Sequence, residues 1–420
     1  MDIQRLIDAC HAAGGGVVTL PPGTYQCGTL FLKDGVTLHL EQGATILGSG
    51  SLADYPPPSD GFCDGCDLKQ KRGRALIAAC GAKNIAVIGP GTIQGNGQAF
   101  CKDTGQYAER PFMLRLVSCR SVRLENLHLE QAAAWCCVLQ DCEDVQIQGL
   151  HIVNHGNSNN DGLDLDSCRR VQVAGCDIDS DDDALCLKAT FSTPVEDIDI
   201  SGCRLKSLGA ALKFGTESYG DFRRVTCHNC QVTGGNMGAV KIMTVDGGIL
   251  EDVEIADLDI QSAVMPVFLR CGARRKVYRS GQKPKGPSVL RRITLRRIHG
   301  RIHAHKGIIA PDCEEPLPPC AHTCLAALGI QGHPVQQVLC EDCELELPGG
   351  NFTSWPDLQQ VPEREDGYPE IGFFGVMPAS CLCLKHTENM TFRNCRFTLT
   401  TPDSRPRVAE WDTTGTSLQV

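Results

Sequence analysis

The chain of 420 residues carries 42% hydrophobic and 21% charged side chains, a globular balance that excludes a disordered or coiled-coil protein. A net charge of -10 argues against a general nucleic-acid binder, and no run of about 18 apolar residues is present to span a membrane. Only 5% is aromatic while glycine reaches 44, so the interior must be built from aliphatic and small side chains.

At the N-terminus Ile3, Leu6, Ile7 and Cys10 fall at helical spacing before Ala13-Gly14-Gly15-Gly16. This predicts a short amphipathic helix within 1–16 that caps one end of the fold. No basic segment followed by an apolar one opens the chain, so a cytoplasmic protein is expected, or a secreted one if a leader has been removed. The 25 cysteines are an odd number, poorly suited to a disulfide framework, and are expected to be mostly reduced core residues. Tyr55-Pro56-Pro57-Pro58 and Glu315-Pro316-Leu317-Pro318-Pro319 read as surface loops.

From about residue 85 one pattern recurs: apolar, any, apolar, any, a small or polar turn residue, apolar, any, apolar. Copies begin at Val122, Val145, Val171, Ile198, Val225 and Val253, 23 to 28 residues apart, with weaker ones at Ile293, Val338 and Met390. Alternation with period two means strands, and strands repeated every two dozen residues without helices between them mean stacked coils. The sixth position holds Leu127, Leu150, Cys176, Cys203, Cys230, Leu258, Ile298, Cys343 and Cys395, a candidate internal ladder. The expected fold is all-β: a single-domain right-handed parallel β-helix over 1–420, coils running from about 17 to 400.

One stretch is unusually acidic: Asn159-Asn160-Asp161-Gly162-Leu163-Asp164, then Ser180-Asp181-Asp182-Asp183-Ala184-Leu185-Cys186-Leu187-Lys188. Asp161 and Asp182 are 21 residues apart, about one coil, and coils stack about 4.8 Å apart, so both can face one groove. Crowded carboxylates raise at least one pKa, the condition for a general acid beside a general base. Taken alone, the cluster reads first as a solvated acidic turn or a calcium site, with Asp164, Asp166, Asp177 and Asp179 as bystanders.

These residues resemble glycoside hydrolase family 28, the polygalacturonases and rhamnogalacturonan hydrolases. Asn159-Asn160-Asp161 is similar to the family's Asn-Thr-Asp motif, and Asp181-Asp182-Asp183 to its Gly-Asp-Asp motif. The opening Gly14-Gly15-Gly16-Val17-Val18-Thr19-Leu20-Pro21-Pro22-Gly23-Thr24-Tyr25 matches as well, as do Gly332-His333-Pro334 and Tyr368-Pro369-Glu370. The resemblance implies inverting hydrolysis without a cofactor or metal. Asp182 would protonate the leaving oxygen, Asp161 and Asp183 would hold and deprotonate water, and Asn159 would orient them.

In two places the chain departs from that pattern. Ala210 stands where the family has a histidine, and Lys241-Ile242-Met243 where it has Arg-Ile-Lys to grip a galacturonate carboxylate. Lysine keeps the charge without the bidentate fork, so a specificity different from endo-polygalacturonase is expected. Lys188, Lys213, Glu217 and Lys241 are candidates to shape the sugar subsite, and Arg270 to line the cleft. Twelve Lys/Arg and no acid lie between Arg270 and Arg301, a run that steers an anionic glycan or merely forms a solvated loop.

Cys63/Cys66, Cys227/Cys230 and Cys340/Cys343 form C-x-x-C pairs, but four of these six belong to inward positions of the repeat, which disfavours zinc. The leading expectation is a glycosidase acting from an exposed end of an oligosaccharide or polysaccharide, with no nucleic-acid or membrane partner. A polysaccharide lyase on the same fold and a non-catalytic carbohydrate-binding protein are its rivals.

Overall fold

The computed structural model describes residues 1–58, 73–302, 323–350 and 352–419. The second proline run and Cys63/Cys66 lie outside the described residues. Ile3–Ala12 forms the one α-helix among them, its start capped by the Asp2 side chain, which accepts a hydrogen bond from the Arg5 amide at 3.1 Å. Ile3 and Ile7 are buried against the first coil, while Leu6, expected on the same face, is 39% exposed. Gly15, at φ +101°, lies where a Cβ would stand 2.7 Å from the Gly35 carbonyl, so only glycine permits this closure.

Besides six short 3-10 helices, the described residues form 33 strands that pair in parallel, each with the strand one coil before or after it and the inner ones with both. This is the right-handed parallel β-helix. Every copy of the repeat stacks in register, from Val122 on Val145 through Val171, Ile198, Val225, Val253, Ile293 and Val338 to Met390. Ile85 pairs with Val122 and begins an earlier coil, and Val408–Thr414 pairs with Leu382–Arg393, so the stack runs beyond residue 400. All nine residues of the sixth-position ladder are buried, none more than 5% exposed.

Bends between strands are made by residues in the left-handed region, stacked like the strands. One column holds Ser121, Asp144, Arg170, Asp197, Arg224, Asp252 and Arg292, each with φ between 51° and 57°. The side chains in this column alternate in sign: Arg170 pairs with Asp144, Arg224 with Asp197 and Arg292 with Asp252, each at 2.7 Å. All 21 cysteines among the described residues are free, 17 of them buried. Cys227 and Cys230 lie Sγ to Sγ at 3.8 Å inside the coil.

A second sheet carries the acidic motifs. Its strands include Phe112–Val117, Cys137–Gln140, Leu163–Asp166, Leu185–Ala189, Ala210–Ser218, Gly238–Thr244 and Val267–Cys271. Leu163 and Leu165 point into the core, which turns Asp164 to the outer face. That outer row reads Arg115, Val138, Asp164, Cys186, Lys213, Lys241, Phe268, Ala326 and Cys383 from one coil to the next. It is polar in the middle and apolar toward the C-terminal end. There the strap 352–377 lies over it, packing Leu358, Val361, Ile371, Phe374 and Met377 on Phe268, Ala326 and Cys383. Each such large apolar side chain contributes about 1.5–3 kcal/mol by leaving water.

The prolines at 56 and 57 are exposed as expected, but Tyr55 is buried against Phe100, its hydroxyl donating to the Ser49 carbonyl at 2.8 Å. The basic run is only in part a solvated loop: Arg275, Lys276 and Lys283 are exposed, but three other cations are engaged. Arg274 is buried on Asp246 at 2.6 Å, Arg279 reaches the Thr190 hydroxyl at 2.8 Å, and Lys285 the Tyr219 carbonyl at 2.6 Å. Its outward strand members Arg291, Arg292, Arg296 and Arg297 are each paired with an acid.

Candidate active site

Asp161, Asp182 and Asp183 stand at the turns that lead into successive strands of the second sheet. Gly162 donates its amide to the Asp183 carbonyl at 2.9 Å, which sets the two turns one coil apart. Asn154 fixes the first turn, donating to the Asp161 carbonyl at 3.0 Å and accepting from Ala132 N–H at 2.9 Å. Ser180 and Ser207 fix the second, their hydroxyls donating to the Asp182 carbonyl at 2.7 and 2.5 Å. Gly209 then passes so close that a Cβ would come within 3.1 Å of Asp182 Oδ1.

Asp183 is 4% exposed; its Oδ2 accepts from Lys213 Nζ at 2.6 Å and its Oδ1 from the Ala210 amide at 3.2 Å. Burial pushes this carboxyl up, but the ammonium groups of Lys213, Lys188 and Lys241 together outweigh it and hold Asp183 below the usual range. Asp182 is half-buried, with Asn159 Nδ2 3.5 Å from its Oδ2. Burial and the neighbouring Asp161 and Asp183 push it well up. Asp161 accepts from Lys188 at 3.2 Å through Oδ2, while its Oδ1 is buried without a hydrogen-bond partner. Burial first, then Asp164, raise its pKa well above the ordinary value.

Lys188 lies between Asp161 and Asp164, 3.0 Å from the latter, with its ammonium 4.4 Å over the Trp135 ring. Glu217 approaches the same ammonium at 4.0 Å. Lys241 is buried on the buried Glu370, whose Oε1 also accepts the Ile371 amide at 3.0 Å. The structure thus brings Asn159, Asp161, Asp182, Asp183, Lys188, Lys213, Glu217 and Lys241 into one neighbourhood.

Arg270 is different. It was expected to line the cleft, yet it is 1% exposed and its guanidinium donates to four carbonyls, those of Leu328, Gly329, Glu363 and Arg364. It ties the strap to the coils. Asp164 corrects the reading in the other direction. Far from a bystander, it is fully buried beside Lys188, and desolvation pushes it up to about 7. Asp166 is a structural hub, accepting from Gln140, Thr190 and Ser167, and Asp177 and Asp179 pair with Arg204 and Lys206 at the surface.

Arg110 and Trp135 escaped the sequence reading, and Tyr368 and Glu370 entered it only within a segment similar to the family, without a role. Arg110 is buried, donating to the Ser158 carbonyl at 2.8 Å and Asn159 Oδ1 at 3.3 Å, so it shapes the first acidic turn. Trp135, one coil before Asp161, supplies the aromatic face under Lys188. Tyr368 and Glu370 come from the strap. Tyr368 is 44% exposed as a residue; Lys213 favours its phenolate, but desolvation around the hydroxyl and the charges of Asp183 and Glu217 outweigh it and raise the phenol. The Leu163-Asp164-Leu165 alternation was a signal for Asp164; the Tyr368-Pro369-Glu370 likeness marked the strap, but a separation of 129 residues hid the pairing of Glu370 with Lys241.

Comparison with known proteins bears on the family and the fold. The model of glycosyl hydrolases family 28 matches residues 19–345. A probable polygalacturonase of Vitis vinifera is 24% identical over 266 residues, 59% of this chain and 54% of that relative. An exo-poly-alpha-D-galacturonosidase of Dickeya chrysanthemi is 41% identical over 103 residues, 23% of this chain and 16% of that relative. The chain therefore spans about half or less of the length of these curated relatives. Among solved structures, the Yersinia enterocolitica family 28 exopolygalacturonase superposes with a TM-score of 0.75 at 16% identity, over 99% of this chain and 75% of that one. The Thermotoga maritima exopolygalacturonase does so with a TM-score of 0.68 at 18% identity, over 94% and 86%. With three aspartates on adjacent turns of a parallel β-helix and a family model that covers most of its coils, the chain belongs to glycosyl hydrolases family 28.

Proposed function

We propose that this chain hydrolyses O-glycosidic bonds in a pectin-type or related glycan by an inverting general acid/base mechanism, acting from a chain end. The observation that carries the reading is the split within one cluster: Asp182 is raised and Asp183 lowered although they are neighbours in sequence. Groups driven apart in this way hold a proton and a vacancy for one at the same pH.

In that scheme Asp182 gives its proton to the glycosidic oxygen as the bond to the anomeric carbon breaks. Water forms the new bond from the opposite face, and Asp183 takes its proton. Asp161, with its free Oδ1, orients the water, and Asn159 holds Asp182. Action from an end is supported by the strap, which covers the C-terminal half of the site row. Lys188 and Lys213 are held protonated by Asp164 and Asp183 despite burial, which disfavours either as the base of a lyase. The free cysteines suit a reducing compartment, consistent with a cytoplasmic enzyme working on imported oligosaccharides.

The test is a product screen on pectic and related glycans with wild type and Asp182→Asn. New reducing ends from wild type alone support the assignment. Equal release by both sinks Asp182 as the acid, and an unsaturated product absorbing in the ultraviolet identifies a lyase.

A further inference from the structure

We infer that the sugar unit seated against the aspartates is uncharged, a hexose or deoxyhexose rather than a uronate. The inference rests on the hydrolase reading and adds the substrate class. A uronate carboxylate that leaves water must meet a cation with charge to spare, ideally through a charge-assisted hydrogen bond. In this site the cations are already matched.

Three ammonium groups send their charge to the carboxylates around them. Lys213 is on Asp183 at 2.6 Å, Lys188 between Asp164 at 3.0 Å and Asp161 at 3.2 Å, and Lys241 on Glu370. Against them stand Asp161, Asp164, Asp182, Asp183, Glu217 and Glu370. With Asp161 and Asp182 protonated and Asp164 raised to about 7, Asp183, Glu217 and Glu370 still match the three lysines one for one, so among the described residues a uronate would find no lysine without a carboxylate.

Among the described residues the neighbouring arginines are engaged as well: Arg110 serves the Ser158 carbonyl and Asn159 Oδ1. Arg270 serves carbonyls, Arg274 serves Asp246 and Arg279 serves Thr190. Arg364, on the strap, stacks on Phe373 at 4.9 Å, and Phe373 meets Tyr368 edge-on. Met243, on the same strand as Lys241, is buried with Met237, Met265 and Phe374 in an apolar cluster that offers no second charge. Glu370 is therefore a specificity-determining residue: it reaches the row from the strap and neutralises Lys241.

Matched aryl α-glycosides with one leaving group test this directly: a galacturonide, a galactoside and a rhamnoside. Wild type is expected to show kcat/KM at least about tenfold higher on a neutral glycoside than on the galacturonide, the discrimination one unmatched buried charge imposes. Glu370→Gln releases the charge of Lys241 and should shift that ratio toward the galacturonide by lowering its KM. A galacturonide turned over as well as the neutral glycosides overturns the inference and leaves hydrolysis standing. If no glycoside is cleaved the hydrolase reading falls, and calorimetry of wild type with galactose, rhamnose and galacturonate decides the rest. Tighter binding of a neutral sugar supports the inference; tighter galacturonate, or no binding at all, overturns it.

Discussion

Two faces of this β-helix stack the same kinds of charge at the same coil spacing. On the exposed bends, Arg224 meets Asp197 and Arg292 meets Asp252 at 2.7 Å. On the site row, Lys213 meets Asp183 at 2.6 Å and Lys188 meets Asp164 at 3.0 Å. The contacts are nearly equal in length but not in consequence. Asp197 is simply held down by its hydrogen bonds to Arg224, against a small desolvation. In the buried cluster desolvation is the largest influence on every carboxyl, and the sign of each shift depends on whether lysine or a neighbouring aspartate wins. Water makes the outer ladder a modest register device; its exclusion makes the inner one a set of acids and bases.

The largest test of this contrast is catalytic. Asp183→Asn should lower kcat by about 10²–10⁴-fold, the usual worth of a positioned base, while Asp197→Asn leaves turnover intact. Comparable losses from both would mean that burial does not separate the two faces. Next is stability. Lys213→Met strands Asp183 without its cation and should cost about 3–5 kcal/mol in denaturant unfolding, as for other broken buried pairs. Arg224→Met, at the surface, should leave the midpoint where it was.

A smaller effect concerns the strap. Arg270→Lys keeps a charge but loses the fork that serves four carbonyls, and should cost about 1.5–3 kcal/mol with faster proteolysis within 352–377. Unaltered protease resistance would show that the apolar contacts hold the strap unaided.

The smallest is a pH dependence. Asp164 is raised from 3.8 to about 7, so the folded state binds its proton more tightly than the unfolded chain does. Its contribution to stability is complete below the unfolded value and is lost as pH rises through about 7. The thermal midpoint of Asp164→Asn should therefore fall less than that of wild type across this window; parallel curves would remove Asp164 from the coupled set. Turnover follows the other two carboxyls. It should decline as pH rises through the raised Asp182, which must be protonated, and as pH falls through the lowered Asp183, which must be ionised.

Much of this was legible in the chain. The repeat that begins at Val122 specified the fold, because an apolar residue at the same coil position must be buried each time it recurs, and Cys176, Cys203 and Cys230 duly stack inside. Asp161, Asp182 and Asp183 were legible for a related reason: one coil of sequence places acidic turns side by side. What periodicity does not encode is which outward residue ends up under cover. Arg270 and Lys241 look alike on paper, both outward cations, but one serves the strap's carbonyls and the other a glutamate that arrives from residue 370.

Spacing along the chain was enough to specify the coil, its register and the three aspartates, since these depend on separations of about one turn of the helix. That Asp164 is buried beside Lys188, that Arg270 serves the strap's carbonyls, and that Glu370 pairs with Lys241 became visible in the folded molecule alone. The last two depend on where a non-repeating strap returns to the coils, and no local pattern carries that information.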